Sequence, residues 1–298
     1  MSTSHRVFVV SGPIGHGRLD ERSREKLRHA RLSSGSDLVS PAARLARRLG
    51  VDEALLSKAS TRYRGEQGRV TEGWIAAADP VYLEARLDHL CLMAQVIDET
   101  ERLALAEHLN QSLGGDGLTF LVEGDGIYIQ AEPAIASSQY PTSVIDGLLP
   151  NKYLPEGAGA DEFRTLLAEI EMSLHEHPLN DARQARGQKP VNSLWLWGGG
   201  TASESPSQSL PPLYSRDPTL RGLWSMHGAE SREPTAQLPS DGTSCVLDIG
   251  DDLGILTRLL DSGRPLSLYS RDGFTVDDTG KGRWRFWARR HTALEPPS

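Results

Sequence analysis

The stretch from His177 to Gly200, HPLNDARQARGQKPVNSLWLWGGG, limits what this chain can fold into more than any bulk property does. It places His, Asn and Arg side chains on a polar connection, becomes the apolar run Leu194, Trp195, Leu196 and Trp197, and closes on three consecutive glycines. Large apolar residues in succession leave no polar face. The run therefore reads as a strand covered on both sides, the pattern of a sheet packed between helices and of parallel sheets above all. Gly198, Gly199 and Gly200 permit a tight turn or a close backbone approach to a ligand.

The flanking segments give the stretch its setting. Phe163, Leu166, Leu167, Ile170 and Leu174 recur at helical spacing, so a helix starts at Asp161 and ends near His177-Pro178, where the following proline disfavours helical backbone. Beyond Gly200, residues 201–212 are rich in Ser and Pro and show no period. Cys245 to Ile249, a helix from Asp251 to Leu260, and Pro265 to Tyr269 then alternate as strand, helix, strand, which signals a βαβ unit. At the other end, Arg6 to Val10 reads as a buried strand stopping at Ser11-Gly12-Pro13.

Between these ends, Ser40-Pro41 opens a helix with Ala42, Leu45, Ala46 and Leu49 on one face and Gly50 as its stop. A short helix over Asp52 to Ser57 follows. From Gly73 the pattern turns to a strand, Trp74 to Leu83, interrupted by a turn at Asp79-Pro80, and a second strand, Leu90 to Ala94. A helix over Thr100 to Leu113 precedes a hairpin whose arms, Leu118 to Val122 and Ile127 to Gln130, flank Glu123-Gly124-Asp125-Gly126. The expected class is α/β: a mostly parallel sheet flanked by helices, with an inserted antiparallel α+β block. Residues 1–70 and 191–298 would form the core and 71–190 the insert.

Composition removes several function classes. Lys and Arg number 32 against 40 Asp and Glu, a net charge of −8, and such a field repels phosphate backbones, arguing against a general nucleic-acid binder. Gly282 to Arg290 is the local exception: Arg283, Arg285, Arg289 and Arg290 interleave with Trp284, Phe286 and Trp287. Such a segment either stacks on bases or forms an amphipathic edge strand, and the turn residues Asp277-Asp278-Thr279-Gly280 before it favour the strand. Cys91 and Cys245 read as separate buried thiols, which suits a reducing compartment. No apolar run approaches the ~18 residues of a membrane span, and the first residues lack a signal-peptide core, so the expected location is cytoplasmic with no membrane partner.

Four residues of the opening stretch are candidate ligand groups: Asn180, Arg183, Arg186 and Asn192, with Lys189 beside them. Arginine presents a fork matched to phosphate or carboxylate, so a phosphorylated small molecule is the expected ligand class. The structural alternative has Asn180 capping backbone, Arg183 pairing with a carboxylate such as Asp181 or Glu176, and Arg186 and Lys189 solvated. His175 and His177 read as surface or capping groups, and Trp195 and Trp197 as core. The loop from Gly12 to Gly17 resembles a phosphate cradle but lacks the lysine and the spacing of known fingerprints, so it reads as a plain turn. Asp248, Asp251 and Asp252 read as a cap and first turn of a helix.

Taken together, His177, Pro178, Asn180, Arg183, Pro190, Asn192, Trp195, Trp197 and Gly198 resemble the RpfE-type family of proteobacterial proteins. A second matching segment is Ala78-Asp79-Pro80-Val81-Tyr82-Leu83 with Asp88-His89-Leu90, and the resemblance covers roughly residues 74–200. That family is similar in turn to archaeal-type cofactor-independent phosphoglycerate mutases of the alkaline phosphatase superfamily, where a like motif closes the inserted region. The resemblance implies an Asp-Gly pair after the first strand, a Ser nucleophile, and a C-terminal set of Asp and His metal ligands. This chain departs there: Val10-Ser11-Gly12 has no Asp, and after Trp197 the histidines are His227 and His291 alone. Two metal ions need several carboxylates and imidazoles at one place. The expectation is a non-catalytic relative with a binding or regulatory role, no metal ligands and no cofactor. An active mutase or phosphatase with an atypical site is the alternative, and no protein partner is assigned.

Overall fold

The computed structural model describes residues 6–15, 17–27, 30–34, 39–86, 89–115, 117–234 and 243–278. Contacts divide the chain into two compact units, Met1–Ala54 with Ser205–Ser298, and Leu55–Glu204. The first begins with β1 (Val7–Ser11), α1 (Glu21–Leu27), β2 (Arg31–Ser34) and α2 (Pro41–Leu49). After a 3-10 turn at Glu53–Ser57, the second comprises α3 (Ala59–Gln67), β3 (Ile75–Ala85), β4 (Leu90–Ala94), α4 (Glu99–Ser112), β5 (Leu118–Glu123) and β6 (Gly126–Ala131). It continues with α5 (Thr142–Ile145), α6 (Ala160–Leu174), α7 (Pro178–Ala185) and β7 (Ser193–Gly200). The first unit then resumes with β8 (Leu213–Tyr214), α8 (Pro218–Met226), β9 (Ser231–Arg232), β10 (Cys245–Asp248), α9 (Leu253–Asp261), β11 (Leu266–Ser270) and β12 (Phe274–Asp278).

The class is α/β. In the first unit a seven-stranded sheet runs β2-β12-β11-β1-β10-β8-β9. It is parallel from β11 to β9 and antiparallel where β12 joins β11 and β2. β10, α9 and β11 form the expected βαβ unit, with β1 between the two strands. Val7 and Val9 are buried with Leu27 of α1 and Leu256, Leu259 and Leu260 of α9. α2 has the predicted ends: the Ser40 hydroxyl accepts from Ala43 N, Pro41 takes the first turn, and Gly50 closes the helix at φ 73°.

In the second unit β3 is the long central strand. It pairs antiparallel with β7 along one edge, and with β6 and then β4 along the other, while β5 lies outside β6. Ala76, Ala78, Leu194 and Leu196 face Leu105 and Leu109 of α4 and Phe163, Ile170 and Leu174 of α6. The alternate residues Ile75, Ala77, Trp195 and Trp197 face Ala59 and Tyr63 of α3, together with Tyr128 and Ile145. Each large side chain fully buried this way contributes about 1.5–3 kcal/mol.

Several expectations are corrected here. β7, assigned to the parallel sheet on its double burial, belongs to the antiparallel one. Helices cover both faces of that sheet, so burial on two sides does not report strand direction. By contacts the two units divide at Leu55 and Ser205. β3 runs straight through Asp79-Pro80: Pro80 sits between the β6 and β4 pairings, where a missing N–H removes least from the ladder. Pro178 starts α7 as well as following α6. Asp277 and Asp278 finish β12 instead of making a turn. The Gly282–Arg290 segment lies outside the described residues. Cys91 and Cys245 are both buried. Among the described residues no helix is long and apolar enough to cross a membrane.

Candidate functional site

The cluster after α6 is built from side chains turned onto backbone. Asn180 Nδ2 donates to Leu174 O at 3.0 Å and Val191 O at 2.9 Å, while its Oδ1 accepts from Val191 N at 2.8 Å. Asn192 treats Leu83 in the same way, accepting from its N at 2.7 Å and donating to its O at 3.0 Å. An amide that accepts from and donates to one residue's backbone imitates an adjoining strand. Asn192 thereby extends the β3–β7 pairing by one residue, and Asn180 ties α7 to the chain entering β7.

Arg183 is 2% exposed although it is an arginine on a short helix. Its Nε donates to Lys189 O at 2.8 Å, its Nη1 to Glu101 Oε2 at 2.8 Å and Val96 O at 3.3 Å, and its Nη2 to Gln95 Oε1 at 3.3 Å. The expected carboxylate partner is therefore neither Asp181 nor Glu176 but Glu101 in the first turn of α4, where Glu101 also completes a capping box with Asp98. Arg186 meets the other oxygen of Glu101 and Gln188 Oε1, and its side chain stays 51% exposed. Lys189 pairs with Glu84 at 3.2 Å and lies 5.1 Å over the Tyr82 ring. Asn180, Arg183 and Arg186 thus gather around α7, and Asn192 stands at the β3 edge.

A second locus is the carboxyl edge of the parallel sheet, the usual place for ligands in α/β folds. Register places Ser270 beside Ser11 and Val10 beside Asp248, with Ser215 next in line after β8. Ser215 Oγ donates to Asp248 Oδ2 at 2.7 Å, and Gly250 N donates to Asp248 Oδ1 at 3.2 Å. Asp272 Oδ2 accepts from Ile14 N at 2.9 Å and Gly15 N at 2.6 Å, and its Oδ1 from Ser270 Oγ at 2.6 Å. The loop after β1 does cradle an anion, and that anion is the chain's own Asp272 carboxylate. Asp252 caps α9 through Gly254 N, as expected. Asp251 lies so close to Gly12 that a Cβ there would sit 1.9 Å from its Oδ1.

These donors do not fit a two-metal centre. Asp248 and Asp272 already accept bonds at both oxygens, and Ser11 Oγ donates to Gly12 O at 2.9 Å. Among the described residues no group of three or more His, Cys, Asp or Glu side chains converges as a metal site. His227 lies at the end of α8, against Pro206 O at 2.9 Å.

A third constellation was not anticipated. Arg62 of α3 pairs with Asp79 Oδ1 and, at 3.2 Å, with Glu66. Trp197 Nε1 donates to Asp79 Oδ2 at 2.8 Å, and the Tyr128 hydroxyl donates to Glu66 at 2.7 Å. Burial pushes the Glu66 carboxyl up, with Arg62 opposing it, and burial likewise pushes the Tyr128 phenol well above its usual range. Burial also works against the charge of Arg62, but Asp79, Tyr128 and Glu66 outweigh it and hold the guanidinium above its ordinary value. The one sequence signal was Asp79 itself, a carboxylate inside an apolar strand.

No protein-family profile matches the chain. It is 31% identical over 115 residues to the 2,3-bisphosphoglycerate-independent phosphoglycerate mutase of Methanosarcina barkeri, 36% of this chain and 27% of that one. It is 39% identical over 62 residues to the protein of the same name from Methanosarcina mazei, 21% of this chain and 16% of that one. The matched segments thus span about a quarter or less of these relatives' own length. The PH0037 protein of Pyrococcus horikoshii shares the fold at a TM-score of 0.51 and 11% identity, covering 95% of this chain and 89% of that one. Over the matched segment the chain is a distant relative of archaeal-type cofactor-independent phosphoglycerate mutases, of the alkaline phosphatase superfamily.

Proposed function

We propose that this chain is a non-catalytic relative of cofactor-independent phosphoglycerate mutase with a binding or regulatory role. The observation that carries the reading is the commitment of Asp248 and Asp272 to the chain's own donors at the strand ends, with Ser11 in place of the expected Asp. A group that already accepts bonds at both oxygens from serine hydroxyls and backbone N–H is poorly placed to bridge metal ions. The RpfE-type resemblance of the His177–Gly200 stretch points to the same kind of role. The two buried thiols suit a reducing compartment such as the cytoplasm.

The ligand class assigned to it is a phosphorylated small molecule. In this reading Arg186, an exposed cation beside the buried Arg183, makes the contact, and Asn180, Arg183 and Asn192 hold the backbone behind it. The alternative, an active metal-dependent mutase or phosphatase, is favoured by the identity with the methanogen mutases. Metal content of the purified full chain separates them: the proposal expects no stoichiometric metal, and two equivalents of Mn or Zn would overturn it.

A further inference from the structure

Two imidazoles meet where α6 gives way to α7. His177 is the N-cap of α7, with its Nδ1 accepting from Leu179 N at 3.2 Å. Because the backbone N–H must donate, Nδ1 carries a lone pair and the ring is neutral with its proton on Nε2. His108 of α4 stands edge-on to it, ring centroids 4.5 Å apart at 75°. His108 Nε2 donates to Ser173 O at 2.9 Å and lies equally close to Ser173 Oγ, which meets Ser112 Oγ at 2.8 Å. His177 cannot be protonated on Nδ1 and still cap α7, whereas the bond of His108 to α6 uses only its Nε2.

We propose that His177, set edge-on against His108, is a proton-sensitive clasp: neutral His177 holds the first turn of α7, and proton uptake by His177 releases it. This goes beyond the functional reading above and does not depend on it. The helix N-terminus carries partial positive charge and disfavours an imidazolium at its cap. From α4 the titratable group facing His177 is His108, which is itself bonded to Ser173 of α6; the chain neighbours of His177, His175 and Glu176, are exposed. Burial first, and His108 second, hold His177 below its ordinary value of 6.5. With a depressed folded value, the stabilisation is present above the ordinary value and is lost as pH falls through the lowered one. α7 carries Asn180 and Arg183, so its release loosens the chain entering β7 at Val191 and the contact with Glu101.

The test follows amide protection at Leu179 and histidine ring titrations by NMR on the full chain, from about pH 7.5 to about pH 5. In wild type the protection of Leu179 relative to its intrinsic exchange is expected to fall about fivefold, the loss of one cap. In His177→Asn the protection should stay level, because asparagine caps without titrating. In His108→Gln, which keeps a donor for Ser173, the His177 titration should move up towards its ordinary value. Unchanged Leu179 protection in wild type, an equal loss in His177→Asn, or a His177 titration indifferent to His108→Gln would each overturn the clasp.

Discussion

Trp197 Nε1 donates to Asp79 Oδ2 at 2.8 Å, joining across β3 and β7 the two segments that carry the family resemblance. Asp79 spends its other oxygen on Arg62, whose side chain is largely buried. Replacing Asp79 by Ala leaves a guanidinium without its closest counter-charge and an indole without its acceptor. The expected loss of stability is about 3–5 kcal/mol. Urea unfolding of Asp79→Ala measures it, and a change within the scatter of surface substitutions would show that the link is not structural.

Glu66 lies in the same network with its side chain 4% exposed. Its carboxyl is pushed up by burial, so its protonated form is favoured on folding. A raised folded value means that its contribution is full below the ordinary carboxylate value and is lost as pH rises through the raised one. Glu66→Gln, which keeps an oxygen acceptor for Arg62 and offers an NH2 that can donate to Tyr128 Oη in place of the bond Tyr128 now donates, should gain on wild type steadily as pH rises from acid towards neutral. Paired urea midpoints across that range check the sign; a variant that loses ground with rising pH would reverse it.

Asn180 and Arg186 separate the structural and binding parts of the motif. Asn180→Asp removes the donor that meets Leu174 O and Val191 O and puts a charge at a buried position, which should destabilise the chain by about 2–3 kcal/mol. Arg186→Ala should leave folding nearly unchanged and abolish any thermal shift that phosphorylated small molecules produce in wild type. Equal shifts in wild type and Arg186→Ala would move the anion contact elsewhere.

Much of the fold was legible where one element carried its own period and caps. α2, α4, α6, the β5–β6 hairpin and the β10–α9–β11 unit all fall where apolar spacing, N-caps and glycines put them. α3 was not legible because it buries Ala59, Ser60, Thr61 and Gly65 beside a single large ring, Tyr63, and so shows no apolar stripe. α7 was hidden by Pro178, which disfavours helix for the residue before it yet suits the first turn of a new one. In the candidate site, Arg183 could be recognised as needing a carboxylate, but its partner Glu101 is 82 residues away and only the packing of α4 brings it near. The self-occupied cradle around Asp272 was likewise closed to inspection of the glycine loop alone, since Asp272 lies 258 residues from Ile14.

Gly12 and Asp251 should be energetically coupled. A methyl at Gly12 has to displace the Asp251 carboxylate, so Gly12→Ala is expected to cost about 1–3 kcal/mol. Removing that carboxylate as well, in Gly12→Ala with Asp251→Ala, should recover at least ~0.5 kcal/mol in a double-mutant cycle. Strict additivity would mean that the clash is relieved by other means.

The central claim is that the strand-end chemistry of the mutases has been replaced here by internal hydrogen bonding. Its most direct measurement is phosphoglycerate mutase turnover by the purified full chain in the presence of Mn, Co, Mg and Zn ions in turn. The account predicts no turnover above the protein-free rate with any of them. Turnover that a chelator abolishes and one of these ions restores would contradict it.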